Sequence, residues 1–146
     1  MLKLSIKRKG FDEGRRRAKD DMKKVLMLSM FKMEELAIRY APVDRGLLRN
    51  QITVFPQILA NKYILTSHAP YSAAMEYGTR PGHHAPIKPL MEWAGRKLGD
   101  SSLGYAIQAK IFAEGITAHP FIRPAMNQVK NFWIERFKKE VFSTGV

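Results

Sequence analysis

Between Phe11 and Tyr40 the chain repeats its apolar residues at three- and four-residue steps, and no proline interrupts the run. Ala18, Met22, Val25, Leu26, Ser29, Met33, Leu36, Ala37 and Tyr40 fall on one stripe of a helix of 3.6-residue period. Any fold must therefore be built along one long amphipathic helix. Met27, Met30, Phe31 and Ile38 widen the stripe beyond what one flank of a small sheet needs. The methionines fit two roles: ordinary core filling, or an adaptable contact surface, because a flexible thioether repacks against varied partners.

The helix must end where APVDRGLLRN begins, at residues 41–50. Pro42 disfavours helical geometry for Ala41 and has no N–H to donate. Asp44 is suited to accept from backbone amides two or three residues on, as an Asx-turn or a cap for one helical turn. Gly46 supplies any positive φ that the reversal needs, and Leu47 and Leu48 pin the turn to a core. A catalytic Asp44 would need a second polar group beside it, and no near neighbour offers one. The stretch reads as a joint.

Elements flank this joint on both sides. Leu2, Leu4 and Ile6 alternate with polar residues as a short strand that Gly10 breaks. After the joint, Ile52 and Val54 alternate with Thr53 and Phe55, and Pro56 fits an edge or a bulge. Tyr63–Ser67 follows the turn-like Ala60-Asn61-Lys62, which predicts a hairpin. A short helix is expected over Tyr71–Tyr77 with Gly78 closing it. Thr79–Pro86, with its glycine, prolines and two histidines, is expected to be an exposed, mobile loop. Helices follow from near Pro89 through Leu98 and over Leu103–Glu114, the latter ended by Gly115. The last helix starts between Pro120 and Pro124 and runs to about Val141, with Met126, Val129, Trp133 and Phe137 as its buried stripe. No repeat, low-complexity tract or linker divides the chain, so one domain over residues 1–146 is expected.

Composition narrows the function. A chain of this length can bury roughly 70% of the surface its unfolded form exposes, and 45% hydrophobic residues exclude wholesale disorder. There is no cysteine, which removes disulfides, thiolate nucleophiles and Cys-based zinc sites. No apolar run follows the basic N-terminus and none approaches the ~20 residues of a membrane span. A soluble protein made in the cytoplasm, with no membrane partner, is expected. The formal net charge is +12, and residues 1–24 hold ten Lys or Arg against four Asp or Glu, so half the excess lies there. Such a surplus attracts polyanions or acidic proteins, and equally serves as a solvated face. Arg15, Arg16 and Arg17 are the candidate contacts to a polyanion or partner.

Chemical sites are weakly supported. His83-His84 are adjacent, which rarely lets two imidazoles bind one ion, and His68 and His119 stand far off without a zinc-helix spacing. Glu76 would be a general acid or base only if buried near a partner; otherwise it ties the glycine loop after it or pairs with an arginine. No nucleophile elbow, P-loop or dinucleotide fingerprint occurs. The acids Asp44, Glu76, Glu92 and Glu114 are scattered over unlike elements, against the clustering that two-metal chemistry needs. No catalytic residue, cofactor or metal is expected.

Four stretches in order resemble a known family. APVDRGLLRN is similar to an "APVDTGxLRxS" turn, YSAAMEYGT to "YAxxVEYGT", and HPFIRPAM to "QPFLRPAL" before a C-terminal helix. KRKGFDEGRRRAKD resembles the opening strand–glycine–helix pattern of the same family. That family comprises the small tail-component proteins of long-tailed bacteriophages named after gene product ten of phage HK-ninety-seven. Arg45 stands where a small polar residue is commoner, Gln51 where serine is usual, and residues 83–115 match less well. The positions that carry the resemblance are Pro42, Asp44, Gly46 and Leu48 in the turn, Tyr71, Glu76, Tyr77 and Gly78 in the middle, and Pro120, Phe121, Pro124 and Ala125 near the end.

The resemblance implies an α+β fold: a small antiparallel sheet packed by the long first helix and the C-terminal helix, with short helices between. It implies a non-enzymatic structural protein of the virion tail or head–tail neck, active in tail completion as a ring, often a hexamer. Its partners would be copies of itself and connector, neck or tail-tube proteins, with DNA met through non-specific charge contacts. The rival reading from charge alone is a basic nucleic-acid-binding module that uses the N-terminal helix.

Overall fold

The computed structural model describes residues 8–57 and 62–143. The fold is α+β: helices dominate, with one two-stranded antiparallel sheet. The elements run α1 (Arg8–Tyr40), α2 (Leu47–Asn50), β1 (Ile52–Gln57), β2 (Lys62–Ser67), α3 (Ser72–Tyr77), α4 (Ile87–Lys97), α5 (Leu103–Glu114) and α6 (Ile122–Ser143). They group into two compact units, one from the chain up to Ser67 together with everything from Phe121 onward, the other from His68–Pro120. The expected strand at Leu2–Ile6 and the hairpin turn at residues 58–61 lie outside the described residues.

In the first unit α1 packs against α6 and against both strands. Its stripe is buried from Val25 through Ser29 and Met33 to Leu36 and Ala37. The Ser29 hydroxyl is satisfied in that apolar setting by donating to the Val25 carbonyl at 2.7 Å. On the exposed side Glu35 pairs with Lys32 at 2.8 Å and Arg39 at 3.1 Å, one helical turn to either side. The helix starts three residues before the expected Phe11 and runs through Gly10. A lone glycine costs a helix only ~1 kcal/mol relative to alanine, too little to stop so long a run. Met22 and Tyr40, expected on the buried stripe, are 46% and 40% exposed.

The hairpin pairs Ile52 with Ser67 through Gln57 with Lys62. On β1 the Val54 amide donates instead to the Glu34 carboxylate on α1 at 3.1 Å, so it faces away from β2. Amides alternate inward and outward along an antiparallel ladder. Pro56, two residues on, therefore stands where its missing N–H would also have faced outward. Proline here removes no ladder bond and blunts the strand's open edge.

Phe121, Ala125 and Val129 bury against this core, with Phe121 and Ala125 fully enclosed. The expected α6 stripe is corrected at Met126, which is 50% exposed. Residue 126 lies about 100° around the helix from Ala125, so the inward arc follows the 121–125–129 row. Full burial of Phe121 and Leu48 contributes about 1.5–3 kcal/mol each relative to exposure.

In the second unit α4 and α5 pack on one another across a short turn. Gly104 makes the approach close: a Cβ there would lie 2.7 Å from the Met91 amide nitrogen. Helix α4 begins at Ile87, two residues before Pro89, which leaves the proline in the first turn where no amide is needed. The stretch Thr79–Pro86 exposes most of its side chains, as expected, but its backbone is tied down. Gly82 N–H donates to Phe112 O at 2.7 Å, and Gln108 Nε2 donates to Ala85 O at 2.7 Å. The His84 ring lies 4.7 Å from that of Phe112, and Ala85 is buried. Helix α5 holds this stretch, against the mobility expected of it.

Candidate interaction surface

The segments that carry the family resemblance mainly build the frame. In the turn after α1, Gly46 adopts φ 76° and ψ 0°, the left-handed geometry expected of it, and occupies the N-cap position of α2. Pro42 is half-buried, Asp44 is exposed, and Leu48 is 2% exposed. Sequence reasoning missed Arg49. Its Nε donates to Ala41 O at 3.1 Å and its second guanidinium nitrogen to Arg39 O at 3.4 Å. A helix leaves its last carbonyls unpaired, and the planar guanidinium covers two of them at the end of α1. The signal was present as a cation shortly after a helix-ending proline. The Tyr40 hydroxyl adds a bond to Gln128 Oε1 on α6 at 2.9 Å.

In the second unit the Glu76-Tyr77-Gly78-Thr79 stretch forms a backbone clasp. Thr79 N–H donates to Ile116 O at 2.9 Å, and Ile116 N–H reaches Thr79 O at 3.3 Å and Thr79 Oγ1 at 2.9 Å. Gly78 (φ 72°) and Gly115 (φ 79°) end α3 and α5 on either side. A Cβ at Gly78 would lie 2.5 Å from Ile116 O, so the two segments meet because a side chain is missing. His119 N–H donates to Met75 O at 2.7 Å and extends the clasp.

Tyr71 and Tyr77 point outward, 41% and 70% exposed, whereas Glu76 is 3% exposed. Pro120 is exposed; Pro124 is half-buried in the first turn of α6. Among the described residues no group of three histidines or acids is placed to hold a metal ion. Two carboxyls are held below the usual range: Glu35, chiefly by its bond from Lys32, and Asp100, by the Ser102 hydroxyl and amide. Both are at the surface.

What remains exposed is apolar and cationic surface. On α1, Met27 and Phe31 are 36% and 49% exposed, and Val43 and Leu47 of the joint are exposed as well. Of the residues expected to widen the stripe, Met27 and Phe31 are thus exposed, whereas Met30 and Ile38 are half-buried. Arg15, Arg16 and Arg17 are all exposed on the N-terminal half of α1, with no ion-pair partner among the described residues.

Two hollows lie along this helix. One of about 220 Å³ is lined by Asp12, Arg15, Arg16 and Lys19. The other, about 450 Å³, is bounded by Lys19, Met22, Lys23 and Leu26 of α1, by Pro56, Gln57, Lys62 and Tyr63 of the hairpin, and by Trp133 of α6. Lys19 belongs to both. Trp133 stacks on Phe137 at 5.0 Å, and its indole N–H is buried without an acceptor among the described residues. No helix among the described residues is long and apolar enough to cross a membrane.

Comparison with known proteins finds no matching family model, no matching curated protein and no matching solved structure.

Proposed function

We propose that this chain is a structural protein of the tail or head–tail neck of a long-tailed bacteriophage or prophage, acting in tail completion through ring-forming contacts. The reading rests on the four resembling stretches. The observation that carries it further is how the chain uses them. Leu48, Phe121 and Ala125 are buried in the frame, and Gly78 leaves room for the backbone clasp between Thr79 and Ile116. Meanwhile Met27, Phe31, Val43 and Leu47 are left uncovered. Where such exposed apolar side chains adjoin, they mark a contact site. In this reading the protein has no catalytic step or cofactor, binds copies of itself and the connector, neck or tail-tube proteins, and resides in the virion. Deleting the gene from the phage that carries it should yield filled heads and tails that fail to join; normal infectious particles would end the proposal.

The second reading is a nucleic-acid-binding module, favoured by the exposed Arg15, Arg16 and Arg17 and by Lys19 one turn on. Phosphate contacts give binding that falls steeply with salt. Co-elution with duplex DNA on a sizing column at moderate salt, abolished at high salt, would support that reading over the first.

A further inference from the structure

The 450 Å³ groove of the first unit combines a cationic rim with an apolar floor. Its rim carries three ammonium groups, Lys19 and Lys23 from α1 and Lys62 from the start of β2. All three are exposed, and among the described residues none has an ion-pair partner and no acid lines the groove. Its floor is apolar, made by Met22, Leu26 and Tyr63 with Trp133. We propose that this groove docks an acidic segment of a partner protein, with an aliphatic or aromatic side chain seated on the floor and flanking carboxylates on the lysine rim.

Charge complementarity selects this occupant. A second copy of a chain with net charge +12 brings mostly like charge to the rim. Duplex DNA would satisfy the lysines but leave the apolar floor uncovered, because its outer surface is phosphate and sugar. An acidic segment with an apolar anchor satisfies both. Met22 and Leu26 can repack around anchors of different shape. The hollow of Asp12, Arg15, Arg16 and Lys19 shares Lys19 with the rim and adds two further cations beside one acid along α1. This inference deepens the assembly reading, and rests on it only for where such a segment comes from.

The test uses the full-length protein and a labelled peptide Glu-Asp-Glu-Phe-Leu-Glu-Asp, with binding followed by anisotropy. A Trp93→Phe background makes Trp133 the sole indole, so its emission reports occupancy of the groove. Lys19→Glu, Lys23→Glu and Lys62→Glu together should weaken binding by roughly tenfold or more, while Lys130→Glu, Lys138→Glu and Lys139→Glu, with the same net charge, should change it less than about twofold. Met22→Glu, at a position 46% exposed and therefore tolerant of the change, should also abolish the Trp133 response. A peptide with Ser-Ser in place of Phe-Leu should bind more weakly. Equal loss in both lysine triples would overturn the proposal, since net charge alone would then explain binding. So would equal binding of the Ser-Ser peptide, or duplex DNA displacing the peptide and losing affinity in the same variants. Concentration-dependent self-association lost in the groove triple, without peptide binding, would assign the groove to a second copy and also overturn it. The peptide measurement needs no virus, so its failure and that of the particle assay are told apart.

Discussion

Replacing Gly78 by alanine tests the clasp of the second unit more sharply than any other change. Gly78 has φ 72° and ψ −177°, a region that residues bearing a Cβ essentially never occupy. Holding alanine there costs about 1–3 kcal/mol in backbone strain. The new methyl would also sit 2.5 Å from Ile116 O and 3.0 Å from the Ala118 nitrogen, both backbone atoms that cannot swing aside. Relief requires moving Thr79 away from Ile116, which breaks two or three hydrogen bonds worth ~0.5–1.5 kcal/mol net apiece. The sum is about 2–7 kcal/mol, a large share of a small domain's stability. Gly46→Ala is the control. Its φ of 76° is also positive, but a Cβ there meets nothing closer than Asn50 Nδ2 at 3.9 Å, so it should cost only ~1–2 kcal/mol. Each unit carries one tryptophan, Trp133 in the first and Trp93 in the second. Urea unfolding in Trp133→Phe and Trp93→Phe backgrounds thus reads each unit separately. Gly78→Ala should shift the Trp93 midpoint well below that of the parent, and further than Gly46→Ala shifts the Trp133 midpoint. If the two glycines cost the same, the close approach to Ile116 contributes nothing and the clasp is misread.

Four further outcomes are expected. Arg49→Ala should lower stability by about 1–2 kcal/mol in thermal unfolding, because two carbonyls near the end of α1 lose a charged donor; Arg49→Lys should not restore it, since one ammonium lacks the fork that reaches both. In hydrogen exchange the amides of Thr79 and Gly82 should be slowed, and exchange at the rate of an unfolded peptide would refute the tethered loop. Glu35 and Asp100 are held below their ordinary values in the folded chain, so their stabilisation is fully present above the unfolded carboxyl range and is lost as pH falls through the folded values; Glu35→Gln with Asp100→Asn should flatten the acid side of a Tm-versus-pH curve, and an unchanged slope would show that neither pairing persists in solution. Arg15→Glu with Arg16→Glu and Arg17→Glu, all at exposed positions, should leave Tm nearly unchanged yet block incorporation into particles; normal infectivity would remove the charge of α1 from the assembly step.

Local chemistry made much of the frame legible in advance. The end of α1 before Pro42, the positive φ of Gly46, the caps at Gly78 and Gly115, and the edge position of Pro56 each follow from backbone constraints on proline or glycine. Such constraints act within a few residues, so a sequence shows them directly. The apolar residues of α1 outside its buried stripe were equally visible, because helical periodicity places Met27 and Phe31 on the face turned away from Val25, Met33 and Leu36. Which arc of a helix turns inward is another matter. Met126 and Ala125 are neighbours in sequence, and only the surface presented by α1 decides that Ala125 is enclosed and Met126 left half-exposed. The loop after Thr79 lacks any local means of burying itself, and its order comes from Gln108, Phe112 and Ile116, some thirty residues later. The groove is further still from local logic. Lys19, Lys62 and Trp133 are ordinary surface or stripe residues in sequence, and become one site only because the hairpin and α6 both pack on α1. Propensity and turn chemistry act through adjacent residues, whereas a site made of three elements exists only once the free energy of burying their shared apolar faces has brought them together.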